Sequence, residues 1–593
     1  MLLRPDTSPE SAAQRLRSVY RSFQAQNLKT LTGMPQTTLD GIVNQRILLE
    51  PARAGVSDMQ DEYQEPLTVL SFLLLLVLLI ACANVANLMT AQAAARGREM
   101  GLRVAIGAGR SRLVQVVLIE AAILALFASA LGAVFAWWWA PMLVSHINPP
   151  ENPARLVLSV DWRVLGFFVA LTFLAAALFG LGPAVRASIM KPSAALKGGE
   201  DPLSRRRLMH VLIAGQAAFS CFALFVAGLF ITTLNRLADQ PTGFFSERLL
   251  TMDAVAEPAL APGSWRQAAE RLRSVPGVES VAMADWPLLS ENVRGGYISV
   301  GGGQLFPEPA FFLKVSPGWF KTMKISLVTG RDFRADEVFP RVAIINEAFA
   351  ERYFKSAKPV GRSFTTSLED RTIKPSIVGV AGKARYADLR GPMPPVIYFP
   401  FQYLDDAGRL LSRGSGSFVV RVSNTDPLTR AADLRMAIRR SGDGLRVTSI
   451  RTQAEINALH TLRERLVASL GIFFAFAALL LTGVGVYGVL DYSVTQRQRE
   501  MGIRMALGAK WADIARHTTF DVLVMATIGA ILGAGAGLGA ARFFEGLLYK
   551  VIGTELSSLS IPLCVMFLAG IAAATPPLIR VWRIEPANAL RSE

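Results

Sequence analysis

The sequence predicts a membrane protein, with an α-helical transmembrane bundle of seven spans in two repeated units and a large, two-lobed α/β domain on the outer side. Three observations lead to this prediction. Of the 593 residues, 51% are hydrophobic and only 18% are charged, as is typical of membrane proteins. The hydrophobic residues cluster in long uncharged runs. A short charged sequence also occurs twice, each time directly after such a run.

Seven uncharged runs are long enough to cross the hydrocarbon layer of a bilayer, which takes about 20 residues of helix. They are 66–95, 121–145, 164–185, 211–235, 466–490, 522–541 and 556–579. All three cysteines (Cys82, Cys221 and Cys564) lie inside these runs, so a disulfide framework is not expected. The four histidines have no ligand-like spacing. We therefore expect neither a metal site nor a cofactor.

Lysine and arginine are unevenly distributed between the short loops. Eighteen of them lie in the loops 91–112, 186–210, 491–513 and 580–593, and three lie in the loops 140–162 and 542–558. By the positive-inside rule the first set of loops is cytoplasmic, so that the region 236–465 and the first 65 residues lie outside. The excess of lysine and arginine in the cytoplasmic loops thus accounts for the net charge of +16. We expect contact with membrane lipids and no nucleic-acid partner.

The repeated sequence is REMGLRVAIGAG at 98–109 and REMGIRMALGAK at 499–510, identical at eight of twelve positions and 401 residues apart. At the same offset, Glu120 matches Asp521 and Gly132 matches Gly533. The predicted unit is a span, an outer domain, a span, the cytoplasmic REMG segment, a span, a short outer loop and a last span. The second unit is complete at 206–593. The first is expected to lack its opening span and most of its outer domain.

The outer region 236–465 alternates β-branched or apolar stretches with amphipathic ones, which indicates a mixed α/β domain. The strand candidates are 296–302, 341–346, 375–382, 396–400 and 417–423, and the helix candidates are 264–275, 346–354 and 427–440. Near the N-terminus, 12–22 is a further helix candidate, followed by a strand candidate at 46–51. This helix and strand parallel the helix at 431–441 and the strand at 445–450 that end the outer region.

Several of these segments resemble a known family. The block LLIACANVANLMTAQAAARGREMGLRVAIGAGRSRLVQVVLIEA (78–121) resembles the signature of FtsX-like permeases, the membrane subunits of MacB-type ABC transport systems. SPGWFKTMKISLVTGRDF (316–333) and VAIINEAFAERYF (342–354) resemble the periplasmic core domain of the same family. The duplicated layout is similar to the acidobacterial duplicated permeases, with an incomplete N-terminus.

The resemblance implies a type VII ABC architecture in the bacterial inner membrane, which works by mechanotransmission. The partner would be a cytoplasmic ATPase dimer, with a periplasmic adaptor or outer-membrane component as a further possibility. The two units would form a pseudo-dimer within one chain. The implied domains are a remnant of a first periplasmic domain (1–65), a three-span FtsX-like domain (66–200), a linker and opening span (201–235), a MacB-like periplasmic core domain (236–464) and a second FtsX-like domain (465–593).

The resemblance also implies that the REMG segments are coupling helices that dock on the ATPase. Their residue types suit this role, because a glutamate and an arginine at i, i+4 form an ion pair and the following glycines end the helix. The alternative is an amphipathic helix lying flat on lipid headgroups. The candidate coupling residues are Arg98, Glu99, Gly101, Arg103 and Gly107, and Arg499, Glu500, Gly502, Arg504 and Gly508.

Other candidates lie within or beside the spans. Glu120 and Asp521 are acids at equivalent repeat positions, where interfacial placement with local pairing is the first expectation. Gly132 in one half, and Gly529, Gly533 and Gly537 in the other, belong to stripes of small residues that let helices approach closely. Asn84 and Asn87 lie on one face of their span and are expected to hydrogen-bond between helices.

The sequence contains no Walker A motif, G-x4-G-K-[ST], and the nearest approach, IVGVAGKA at 377–384, lacks its first glycine and its Ser/Thr. No catalytic constellation is apparent, and Asp332 and Asp336 are predicted to be solvated loop residues. The predicted function is therefore a permease that couples a separate ATPase to periplasmic motion for export or extraction of a substrate. The alternative is a non-transporting transmembrane regulator that activates a periplasmic partner such as a cell-wall hydrolase.

Overall fold

The computed structural model describes most of the chain. The described residues are 8–27, 35–45, 58–95, 110–147, 162–189, 202–256, 263–290, 292–355, 358–368, 371–404, 410–411, 413–423, 426–440, 444–496, 501, 503–504, 507, 511–544, 546–551 and 555–582. The chain divides into two compact units. The α/β unit contains Met1–Ser57 and Leu237–Thr461, and the helical unit contains Asp58–Arg236 and Leu462–Glu593.

The helical unit is built from long apolar helices. They are α3 (Asp58–Ala95), α4 (Arg110–Ile147), α5 (Trp162–Ile189), α6 (Pro202–Ala238), α12 (Leu462–Gln496), α13 (Trp511–Ala541) and α14 (Leu556–Trp582). Within the described residues, six of them contain a stretch that could cross a membrane by length and composition. The seventh predicted span, 164–185, lies on α5, whose apolar stretch Trp162–Leu178 is shorter. The count of seven spans therefore stays a prediction.

Helix contacts in the helical unit follow the same order in both halves of the chain. In the first half α5 contacts α3 and α4, and in the second half α14 contacts α12 and α13. The two halves meet where α3 packs along α12. A hydrophobic cluster there joins Leu73 and Ile80 of α3 to Val226 of α6 and Ala475 of α12. In water, burying such side chains stabilises a fold by roughly 25 cal/mol per Å² of apolar surface. Inside a bilayer this contribution is absent, and close van der Waals packing holds the helices together instead.

The α/β unit contains fifteen described strands. They are β1 (Leu249–Ala256), β2 (Val278–Ala284), β3 (Gly295–Gly296), β4 (Ile298–Val300), β5 (Ala310–Val315), β6 (Leu327–Gly330), β7 (Val342–Asn346), β8 (Phe364–Leu368), β9 (Arg371–Ile373), β10 (Ser376–Ala381), β11 (Val396–Pro400), β12 (Tyr403–Leu404), β13 (Leu410–Leu411), β14 (Ser415–Val422) and β15 (Leu445–Thr452). Ten of them form one mixed sheet, in the order β15-β1-β14-β2-β5-β11-β7-β10-β6 with β3 added beside β5.

The shorter helices complete the α/β unit. They are α1 (Pro9–Asn27), α2 (Gln36–Val43), α7 (Ser264–Arg273), α8 (Trp319–Met323), α9 (Glu347–Phe349), α10 (Ala431–Arg439) and α11 (Gln453–Leu459). A π-helical turn, Ala350–Phe354, continues α9, and a 3₁₀ turn, Pro427–Arg430, precedes α10. Amphipathic α7 places Trp265, Ala268, Ala269 and Leu272 in the core.

Two separate hydrophobic cores give the α/β unit its two lobes. One core contains Trp265, Phe418 and Leu434, and the other contains Phe312, Phe349 and Ile397. The lobes share the large sheet, but β2 and β5 pair at a single position, Ala284 with Val315. The predicted large α/β domain is therefore confirmed, and it contains two separate cores.

Most predicted elements of this unit are present. The strand candidates 341–346, 375–382, 396–400 and 417–423 correspond to β7, β10, β11 and β14, whereas 296–302 is split between β3 and β4. The helix candidate 12–22 lies within α1. The strand candidate 46–51 falls outside the described residues.

Candidate functional site

The predicted coupling segments fall largely outside the described residues. Arg98, Glu99, Gly101, Arg103 and Gly107 are outside them, as are Arg499, Glu500, Gly502 and Gly508. Arg504 is described and lies exposed on a helical turn in which the Leu507 N–H donates to the Ile503 carbonyl at 3.0 Å. Ile503 and Leu507 are 43% and 83% exposed. This turn therefore offers an apolar pair and a cation on its accessible surface.

An ion pair holds together the helix ends beside the second coupling segment. Asp491, near the end of α12, accepts a hydrogen bond from Arg580, near the end of α14. Both side chains are partly exposed, so the pair adds little to stability. The pair instead holds the last turns of α12 against the last turns of α14, since Asp491 lies five residues before Gln496, where α12 ends.

The glycine stripe of α13 packs directly against α6. A Cβ atom on Gly529 would collide with the Ala214 carbonyl, and one on Gly533 would collide with the Ala218 carbonyl. One on Gly537 would lie 2.5 Å from Cδ1 of Phe225. The predicted close approach is thus seen for all three glycines, and α6 is the helix that occupies the stripe.

Gly132 behaves differently from its repeat counterpart Gly533. A Cβ atom on Gly132 would meet nothing within 4 Å among the described residues, and the surrounding face of α4 is exposed. The helix-packing role predicted for Gly132 is therefore not seen within this structure. The physical reason is that no described helix takes the place on α4 that α6 takes on α13.

A buried polar cluster ties α3, α6 and α12 together. The Asn84 side chain donates to the Leu481 carbonyl at 2.6 Å and accepts from Gln216 Nε2 at 2.8 Å. Both amides are nearly inaccessible, at 5% and 3% exposure. Gly485 provides the space, since a Cβ there would lie 2.7 Å from Asn84 Oδ1. The hydrogen bonding between helices predicted for Asn84 is confirmed.

The polar cluster continues one turn along α6 and α12. Ser220 Oγ donates to the Ala478 carbonyl at 2.8 Å and lies 2.6 Å from Thr482 Oγ1. Thr482 Oγ1 in turn donates to the Gln216 carbonyl at 3.2 Å. In a hydrocarbon environment such bonds contribute on average about 0.6 kcal/mol each. They also fix the register of α6 against α12, because a slide of either helix would break all of them.

The intramembrane acids and the outer helix ends complete the helical unit. Glu120 is exposed on α4 and Asp521 is half-buried on α13, and each interacts with a neighbouring group.

At the far end of α6, Arg236 donates two hydrogen bonds of 2.6 Å to Glu555 and one to the Lys550 carbonyl. These contacts fix the start of α14 to the end of α6.

Two carboxyl groups of the α/β unit, Asp285 and Asp332, make contacts within the fold. Asp285 pairs with Arg413, and burial raises the pKa of its carboxyl against the opposing effect of Arg413 and Lys314. Asp332 accepts from the N–H groups of Gly318 and Phe333 at 2.9 and 2.7 Å, and burial raises its pKa. Asp332 is a loop residue, as predicted, but it is half-buried and hydrogen-bonded rather than fully solvated, whereas Asp336 is exposed as predicted. Among the described residues, no group of three or more His, Cys, Asp or Glu could hold a metal ion.

Two protein-family models match the chain and account for most of its length. The model of the FtsX-like permease C-terminal domain matches twice, at 71–192 and at 472–586. The model of the MacB-like periplasmic core domain matches 211–436, between them. The chain belongs to the FtsX-like, MacB-type permease family. Its helices and α/β unit are therefore those of a membrane protein with an extracellular domain.

Two curated relatives of this permease share one description, the macrolide export ATP-binding/permease protein MacB. The chain is 26% identical over 272 residues to the macrolide export ATP-binding/permease protein MacB of Azoarcus sp. (strain BH72), a match that covers 45% of this chain and 40% of the relative. It is 24% identical over 331 residues to the protein of the same description from Psychrobacter arcticus, covering 55% of this chain and 47% of the relative. The chain thus spans less than half the length of these relatives.

Two solved structures are similar to part of this chain. The periplasmic region of MacB from Actinobacillus actinomycetemcomitans is 14% identical, with a TM-score of 0.24, and covers 37% of this chain and 94% of that structure. The extracellular domain of the noncanonical ABC-type transporter YknZ from Gram-positive bacteria is also 14% identical, with a TM-score of 0.23, and covers 34% of this chain and 100% of that structure.

Several residues of the permease were not found by sequence reasoning. Gln216, the partner of Asn84, carries no signal beyond being an amide inside an apolar run. Arg385 and Arg421 are 5% and 3% exposed although arginine is rarely buried. Arg421 donates to backbone carbonyls, and Arg385 donates to backbone carbonyls and to the side-chain oxygen of Gln240, and no sequence motif identifies such partners.

Proposed function

We propose that this permease is the membrane subunit of a type VII ABC transport system in the bacterial inner membrane, driven by a separate cytoplasmic ATPase dimer. Motion of the helices is passed to the periplasmic domain, which exports or extracts a substrate. The observation that carries this proposal is the pair of FtsX-like matches on either side of one MacB-like periplasmic core domain match. The two halves act as a pseudo-dimer, in the manner of the duplicated permeases.

The contacts of the second half support a rigid path from the cytoplasm. The exposed turn with Ile503, Arg504 and Leu507 follows α12, whose end is held to α14 by Asp491 and Arg580. Along α12, the Asn84 and Ser220 hydrogen bonds prevent sliding against α3 and α6. A displacement of the end of α12 is therefore passed to α6 as well, and the chain connects both helices to the α/β unit.

The first test concerns docking. The double change Glu500→Ala and Arg504→Ala removes charges from the predicted coupling segment, and it is expected to lower the stability of the permease by only about 0.5 kcal/mol. Loss of a central interface contact weakens binding by about 2 kcal/mol or more, which is roughly thirtyfold. The measurement is co-purification of the full chain with its ATPase, identified by mass spectrometry, followed by ATPase stimulation in nanodiscs.

The control for docking is Arg542→Ala, which removes an exposed charge from the predicted outer loop and should leave association unchanged. The matching double change Glu99→Ala and Arg103→Ala should weaken association to a similar degree, because both halves present equivalent segments. Full association and stimulation by both double variants would show that the segments are lipid-surface helices. Recovery of a cell-wall hydrolase in place of an ATPase would favour the regulator.

A further inference from the structure

Two of the segments that join the α/β unit to the membrane helices connect it to α6 and to α12. The first stalk, residues 239–248, follows α6, and the second stalk, residues 453–461, contains α11 and precedes α12. Any motion of α6 or α12 must pass through these stalks before it reaches the two lobes. Their contacts with the body of the α/β unit therefore decide whether such motion moves the domain or is absorbed by bending.

The first stalk is held by a buried arginine in the loop after β10. Arg385 Nη2 donates to Gln240 Oε1 at 3.0 Å, and the Arg385 backbone N–H donates to the Thr242 carbonyl at 2.9 Å. Gly243 adopts φ +81, and a Cβ there would collide with the Lys383 carbonyl. The stalk backbone thus lies in direct contact with this loop.

A second buried arginine holds the end of the same stalk. Arg421 of β14 donates to the carbonyls of Thr322, Glu247 and Phe245 at 2.7, 2.9 and 2.9 Å. Burial lowers the pKa of its guanidinium. Placing a cation among neutral carbonyls carries a desolvation penalty and is weak evidence of a stabilising role. The arrangement instead fixes two backbone segments, α8 at Thr322 and the first stalk at 245–247, against β14.

The second stalk is held by the turn after β2. Gln453, which is fully buried, donates to the Leu288 carbonyl at 2.8 Å, and His460 Nε2 lies 2.7 Å from the Leu289 carbonyl. A capping box between Thr452 and Glu455 fixes the start of α11. Leu289 itself has φ +58, an unusual conformation for a branched residue that the surrounding bonds maintain.

One hydrogen bond connects the two attachment points. The Leu289 N–H donates to the Tyr386 carbonyl at 2.7 Å, and Tyr386 is the residue next to Arg385. A continuous path therefore runs from the first stalk to the second through Gln240, Thr242, Arg385, Tyr386, Leu289 and His460. We name these six residues the stalk bridge.

We propose that the stalk bridge makes the two stalks move as one body, with Arg385 and His460 as its positioning residues at either end. This inference rests on the proposed function, because a permease that works by mechanotransmission needs both helices to push on the same part of the domain. With the bridge intact, a displacement of α6 or of α12 shifts the base of the α/β unit as a whole. With it broken, each stalk bends separately.

The test is hydrogen exchange of the full chain in lipid nanodiscs, measured by mass spectrometry without ATPase or nucleotide. Arg385→Met should make amide exchange roughly tenfold faster in 239–248, where its bonds are lost, and also in 453–461, through the bridge. His460→Leu should produce the reciprocal effect on 239–248. Gln240→Ala removes the hydrogen bond between Arg385 and Gln240 but keeps the buried arginine. If Arg385→Met does not fold, Gln240→Ala takes its place in the same measurement.

Lys383→Ala is the matched control, since Lys383 lies in the same loop but pairs with Glu351 at the surface. It should leave exchange in both stalks unchanged. Spin labels at the exposed positions Asp239 and Ala454 give a second readout, and Arg385→Met should broaden the distance distribution between them. Faster exchange confined to the stalk nearest each substitution, with an unchanged distribution, would overturn the bridge. Neither result depends on whether the proposed ATPase partner exists.

Discussion

At the scale of single residues, Arg331 and Glu337 form a two-point ion pair in the α/β unit. Arg331 Nη2 and Nη1 lie 2.6 and 3.0 Å from the two carboxylate oxygens, and the Arg334 N–H donates to Glu337 at 2.8 Å. The hydrogen bond from Arg331 is the main cause that lowers the pKa of Glu337 below its usual value of 4.5. A group with a lowered pKa in the folded state stabilises that state only while it is ionised.

Glu337→Gln should therefore lower the stability of the α/β unit at pH 7 by about 0.5 kcal/mol, a small value because solvent screens the partly exposed Arg331. The stabilisation is present above pH 4.5 and is lost as the pH falls through the lowered pKa of Glu337. The difference in thermal midpoint between wild type and variant should thus shrink as the pH falls below 4.5. A difference that stays constant from pH 7 to pH 3 would show that the charge of Glu337 does not contribute.

At the scale of elements, sequence patterns predicted those features that depend on local composition. Asn84 had to find a partner because an amide inside an apolar helix is costly to leave unpaired, and strands such as β11 follow from a run of buried β-formers. The strand β5 was missed because Lys314 interrupts AFFLKV, yet this lysine is buried against the rings of Phe339 and Tyr403. The stalk bridge was also missed, since arginine-to-carbonyl bonds depend on which loops meet in the fold.

The glycine stripes give a prediction with an internal control. Gly533→Ala places a methyl group against the backbone of α6 and should lower the stability of the helical unit by about 1–3 kcal/mol, the usual effect of overpacking. Gly132→Ala at the matching repeat position meets open space and should be neutral. The measurement is thermal unfolding of each variant in the same detergent. Equal damage by both substitutions would contradict the open face described for Gly132 on α4.

At the scale of the whole molecule, the arrangement of lysine and arginine predicts which side of the membrane each part occupies. The α/β unit and the six apolar helices found within the described part of the chain agree with a membrane protein that has an extracellular domain. The sequence could not predict how α6 seats on α13, because the stripe of Gly529, Gly533 and Gly537 has no complementary signal on α6 beyond small residues. Nor could it predict which strands join the two cores in one sheet, because strand pairing depends on contacts between distant parts of the chain.

The topology is tested with single reporter cysteines in a background from which Cys82, Cys221 and Cys564 have been removed. Lys358→Cys and Ser423→Cys, at exposed positions of the α/β unit, should react with a membrane-impermeant maleimide in intact spheroplasts. Ser193→Cys in the basic loop 186–210, and Leu507→Cys on the exposed coupling turn, should react only after the membrane is permeabilised. The reason is that lysine and arginine near span ends are retained on the cytoplasmic side. Reaction at Ser193→Cys in intact spheroplasts would reverse the orientation and place the coupling turn out of reach of any cytoplasmic ATPase.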